Sequence, residues 1–187
     1  VIQTPQVAAS GDNAQTQADR LTIGETYVDT NIGTGTAVAR VGGVLNVNTT
    51  SQATTGTSEE VLATYTLPAN TLSANGKAIR VTAWGTSAAN GNTKITRVRI
   101  GGIGGTQVSV VTWTGSGSAW RHTVDIIRTG AATQEAAGQA HGNAATLITY
   151  TSPTATLSNA VDIVITGTTA TSAGDVTFKG LIVEALN

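Results

Sequence analysis

The chain has 187 residues, with 10 Lys and Arg against 11 Asp and Glu, a formal net charge of -1 and no cysteine. That balance offers no basic field to a phosphate backbone, and the missing cysteine removes disulfide scaffolds, thiolate metal sites and thiol nucleophiles together. No run of about 18 apolar residues is present to span a bilayer, and the length suits one β-sandwich or barrel whose core needs no metal or cross-link.

Charged residues make up 11% of the chain, less than half the usual share of about 25%. Solubility therefore falls to Thr, Ser, Asn, Gln and Gly. Threonine suits pleated, half-buried surfaces, and glycine and asparagine suit the turns between strands. Composition alone predicts β structure.

Residues 1–33 read as an N-terminal arm. The start Val1-Ile2-Gln3-Thr4-Pro5 lacks a charged stretch followed by an apolar one, so no signal peptide is expected. The chain contains no Met, so either an initiator was removed or the numbering begins inside a longer product. The polar stretch from Ala8 to Arg20 shows little periodicity; it is expected to be disordered by itself or docked on a partner, with a short helical turn around Ala14 to Leu21.

Residues 34–187 read as a β-sandwich domain. Ala37 to Val41 and Val44 to Val47 are strand signals flanking Gly42-Gly43, a bulge or bend. Val61 to Leu67 runs into Pro68, which ends ladder donation. Ala78 to Trp84 alternates, with Ile79, Val81 and Ala83 on one face and Arg80, Thr82 and Trp84 on the other. Asn90-Gly91 then signals a tight type I′ hairpin with positive φ, and Lys94 to Ile100 is the return strand. Further strands are Val108 to Trp113, Ala119 to Arg128, Ala145 to Thr151, Val161 to Thr166 and Val176 to Leu186. Short strands at such spacing, with no fixed-period repeat, predict an antiparallel sandwich of jelly-roll type. Its core is expected to hold Ile79, Val81, Val98, Ile100, Val124, Ile126, Ile163 and Ile165.

One block carries a resemblance. It runs from Ser58-Glu59-Glu60-Val61 through Leu67-Pro68-Ala69-Asn70-Thr71-Leu72 and Asn75-Gly76-Lys77. It continues to Ala89-Asn90-Gly91-Asn92-Thr93-Lys94 and closes near Gly101-Gly102. The block resembles a module that recurs in structural proteins of tailed-bacteriophage virions, capsid decoration and head-fibre or tail-fibre proteins among them. It covers about a quarter of the chain, with weaker agreement in Phe178 to Glu184. Every residue in it has a turn or strand reason to be present, so the match carries a fold, and function by analogy.

Each chemistry-bearing residue has a plain reading beside the functional one. His122 falls in a strand signal and His141 in an expected loop, nineteen residues apart, without a carboxylate pair for a zinc site. No serine has the Gly-x-Ser-x-Gly frame, and Gly101-Gly102 with Gly104-Gly105 lacks the dinucleotide spacing; a glycine-rich sheet-to-sheet crossing is expected there. Glu59 and Glu60 point to opposite faces of a strand. Asp125 and Asp162 could approach as a glycosidase pair, and pairing with Arg121 or Arg128, or solvent exposure, is the commoner outcome. Trp84, Trp113 and Trp120 are either stacking platforms for sugar or, as is more usual, buried in a core or subunit interface. Arg97 and Arg99, with Arg80 on the neighbouring strand, form either a cluster for an acidic partner or a solvated face. Asn48-Thr49-Thr50 is a glycosylation sequon without meaning in a bacterial virus.

Catalytic, cofactor-binding and metal-binding residues are all expected to be absent. The sequence reading is a non-enzymatic virion protein on the particle surface, assembled as a homo-oligomer of trimeric type. Its arm is expected to anchor it to major capsid or tail proteins, without nucleic acid or membrane as partner. The alternative is a fibre adhesin that binds a receptor or a host surface glycan.

Overall fold

The computed structural model describes residues 43–115 and 117–187, together with the backbone of two short strands, β1 (Thr22–Ile23) and β2 (Val28–Asp29). These two pair antiparallel within the unit Val1–Val41. The expected arm, its helical turn at 14–21 and the strand at 37–41 lie outside the described residues.

The unit Gly42–Asn187 is built of strands alone among the described residues. They are β3 (Gly43–Asn48), β4 (Gln52–Ala53), β5 (Glu60–Leu67), β6 (Ala78–Ser87), β7 (Lys94–Ile100) and β8 (Thr106–Trp113). They continue with β9 (Ala119–Gly130), β10 (Thr133–Gly142), β11 (Ala145–Thr151), β12 (Val161–Thr169) and β13 (Val176–Ala185). One sheet has seven strands in the order β11-β10-β9-β6-β13-β3, with β4 also on β13; the other has four in the order β5-β12-β7-β8. Every pairing is antiparallel.

The pairings are nested. β7 pairs with β8, β6 with β9, β5 with β12, and β3 and β4 with β13. A long antiparallel ribbon folded over in this way is a jelly roll. β10 and β11 extend one sheet as an added hairpin.

Period-2 alternation sends one face of each strand inward. All eight residues expected in the core are buried: Ile79, Val81, Val124 and Ile126 from the seven-stranded sheet, and Val98, Ile100, Ile163 and Ile165 from the four-stranded one. Phe178, Leu181, Val183 and Val108 complete the centre. Each such burial contributes about 1.5–3 kcal/mol.

Three expectations about connections are corrected. Asn90-Gly91 is not a hairpin turn, because β6 and β7 belong to different sheets and Ala88–Thr93 is a crossing between them; neither residue has positive φ. Conversely, Gly101 to Gly105 is not a crossing but the turn of the β7–β8 hairpin, with φ of 93° at Gly101 and 79° at Gly102. The segment holding His141 is not a loop but strand β10. Its sequence, Thr-Gln-Glu-Ala-Ala-Gly-Gln-Ala-His-Gly, has no bulky aliphatic residue to signal a strand. The reason is close packing against β8. A Cβ on Gly138 would stand 2.5 Å from the Val108 carbonyl oxygen, and one on Gly142 2.5 Å from the Trp113 ring.

Candidate interaction surface

The residues that carry chemistry separate across the two sheets. Arg80 lies on β6 and pairs with Asp125 on β9 (Nε–Oδ1 2.7 Å), so it is not a neighbour of Arg97 and Arg99. Asp125 is thereby engaged by Arg80 and not by Arg121 or Arg128. Asp162 is in the other sheet, where its Oδ1 accepts a hydrogen bond from Thr66 Oγ1 at 2.7 Å. The glycosidase pairing therefore does not form. Asp162 and Thr66 line an open groove of mixed polarity with Gly101, Ala155, Asn159 and Val161. Among the described residues, no three His, Asp or Glu side chains gather to hold a metal ion.

The outer face of the four-stranded sheet is closed by charge pairing. Arg99 donates through Nε and Nη2 to both oxygens of Glu59 at 2.8 and 3.0 Å, and Thr166 Oγ1 donates to the same carboxylate at 2.6 Å. Arg97 lies 3.6 Å from Glu59 and donates to Gln107 and Thr168. The Arg99 hydrogen bond, against the opposing effect of burial, holds the Glu59 carboxyl below its usual range. Glu60, on the opposite side of the chain, accepts from the backbone N–H and hydroxyl of Thr55, which also lowers its pKa.

Between the sheets, His122 bridges Thr96 Oγ1 (2.8 Å from Nε2) and Ser109 Oγ (2.8 Å from Nδ1), with Trp120 set edge-on to its ring. Burial first, and the nearby His141 second, push its pKa down to about 3. This imidazole is a neutral tie across the core, closed to solvent and to substrate. Trp113 and Trp120 are also core residues. Trp84 is half-buried, its ring against Gly180 on the outer face.

The alternation of β7 places Lys94 on the same inward face as Thr96, Val98 and Ile100, and Lys94 is fully buried. Its ammonium donates to Asn90 O and Oδ1 at 2.9 and 2.8 Å, to Asn92 O at 2.9 Å, and to Gly115 O at 3.3 Å. The amides of Asn90 and Asn92 each donate to Asp175 at 2.7 Å. Burial would raise the Asp175 pKa, but those two amides and the Lys94 charge outweigh it and lower it. The Asn-Gly-Asn-Thr-Lys segment thus closes the corner between β6 and β7, which sequence reasoning missed although the parity of β7 signalled it.

Among the described residues, the rim of the seven-stranded sheet remains open. Strand β11 exposes Leu147, Ile148 and Tyr150, the last two at 74% and 71%, and β3 exposes Val44 and Val47 at 59% each. The nearby Glu135 carboxylate raises the pKa of the exposed Tyr150 hydroxyl. Isolated surface aliphatics are ordinary, but a run of them along an unpaired edge marks an interaction surface. No protein-family model matches the chain, and no curated protein is similar to it.

Proposed function

We propose that the chain is a non-enzymatic structural protein of a tailed-bacteriophage particle, displayed on the virion surface as a capsid decoration, fibre or tail component. It assembles as a homo-oligomer, a trimer, and is anchored by residues 1–33 to major capsid or tail proteins. The observation that carries this reading is the block from Ser58 to Gly101-Gly102 and its resemblance to virion modules. The roles of the block's residues agree with such a module. Pro68 follows the end of β5, Asn70 and Gly76 take φ of 62° and 84° in the connection to β6, and Asn90, Asn92 and Lys94 lock the next corner. These positions set the corners of the fold, so the block carries a fold, and function by analogy. The adhesin alternative gains nothing from Trp113 and Trp120, whose rings are buried.

The test is attachment to particles that lack this component. The full chain should bind them and a chain starting at Thr34 should not, while both give the same β-type circular dichroism. Equal binding by the truncated chain removes the anchoring role. No binding by the full chain removes the virion assignment.

A further inference from the structure

Resting on the oligomer in that reading, we infer that copies join head to tail through the two edges of the seven-stranded sheet, β3 of one against β11 of the next. Neither strand carries a charged residue: β3 is Gly-Val-Leu-Asn-Val-Asn and β11 is Ala-Thr-Leu-Ile-Thr-Tyr-Thr. β11 also lacks the proline and bulge with which proteins blunt an exposed edge. Among the described residues, β11 pairs only with β10, and β3 only with β13.

The geometry matches on three counts. Six successive antiparallel strands leave β11 and β3 running in opposite directions. A second copy placed beside the first therefore continues the sheet in antiparallel sense. Ile148 shares a pleat row with Val47, through Gln139, Thr123, Thr82 and Ile182. Tyr150 shares the next row with Val44, through Ala137, Asp125, Arg80 and Glu184. Joined in the sheet's own register, Ile148 of one copy meets Val47 of the next, and Tyr150 meets Val44.

A twofold pairing of β11 with itself leaves Val44 and Val47 in water. Head-to-tail pairing covers both edges with one contact, and such heterologous contacts give a closed ring where the rotation between copies closes and an open filament where it does not. The occupant of each edge is thus a second copy of this chain.

The test is a charge-swap series followed by sedimentation velocity, with circular dichroism to confirm folding. Ile148→Lys and Val47→Glu should each reduce the sedimenting mass to that of the 18.8 kDa chain. Combined in one chain, the two substitutions should restore the oligomer, because the introduced ammonium of one copy then faces the introduced carboxylate of the next. Ile103→Lys, at a 48% exposed position in the β7–β8 turn, should leave the mass unchanged. Singles that stay oligomeric, or a double variant that stays monomeric, overturn the head-to-tail contact. A wild-type monomer that still attaches to particles overturns this inference alone and leaves the virion reading standing.

Discussion

Lys94 is fully buried, whereas Ile148 is 74% exposed, an inversion of where a lysine and an isoleucine normally sit. At the β6–β7 corner the lysine is surrounded by carbonyl oxygens, and the two asparagines that supply three of these also satisfy Asp175. At the β11 edge nothing within the described chain covers the isoleucine. A buried charge with every hydrogen bond made is a structural element, costly to disturb. An exposed aliphatic on an uncharged edge contributes little to its own fold and is available to a partner. Polarity at the corner therefore serves the fold, and apolarity at the rim is the feature on which the proposed assembly draws.

The comparison breaks most sharply at Lys94. Lys94→Met keeps much of the side-chain volume but leaves the carbonyls of Asn90 and Asn92 without their donor and Asp175 without its countercharge. Stability should fall by about 3–5 kcal/mol, as for other buried charges that lose a partner, read as a lower urea midpoint. A midpoint within error of wild type would show that the corner is not held by the ammonium.

The His122 tie gives the next effect, through pH. Its folded-state pKa of about 3 lies below the ordinary value of 6.5. Between those values the unfolded chain binds a proton that the folded chain refuses, so stability is full above about pH 6.5 and falls as pH is lowered. The slope should approach about 1.4 kcal/mol per pH unit. Glu59, Glu60 and Asp175, with lowered carboxyl pKa values, add losses of the same sign only at lower pH. Urea unfolding between pH 6.5 and 5 isolates the histidine, and His122→Gln should flatten the dependence there. An unchanged slope in that variant would assign it to another group.

The smallest effect is at Gly91. Although it lies in the same corner as Lys94, a Cβ there meets nothing within 4 Å and its φ is not positive. Gly91→Ala should shift stability by less than about 0.5 kcal/mol. A loss above about 1 kcal/mol would restore the tight turn that the Asn-Gly pair signals.

Alternation made the aliphatic core legible. Ile79 and Val81 stand two apart around Arg80, and Ile163 and Ile165 two apart between Asp162 and Thr166, and periodicity places them inward whichever sheet they join. Sheet membership was not legible. Asn90-Gly91 carries the same local signal whether the chain returns in the same sheet or crosses to the other, and the side chain that accepts from the Asn90 amide, Asp175, is far away in sequence. β10 was hidden because Gly138 and Gly142 are required by their neighbours Val108 and Trp113, which are far away in sequence. The rim was hidden for a related reason: β11 reads as a strand, but nothing local marks it as the last of six.

The division between a fold held at the corner and an assembly held at the rim is tested most directly by the sedimenting mass of Ile148→Lys, measured beside its near-ultraviolet tryptophan circular dichroism. The account predicts a monomer of 18.8 kDa with the signals of buried Trp113 and Trp120 intact. An Ile148→Lys protein that keeps the wild-type oligomeric mass, or that loses its tryptophan signals together with its assembly, would contradict it.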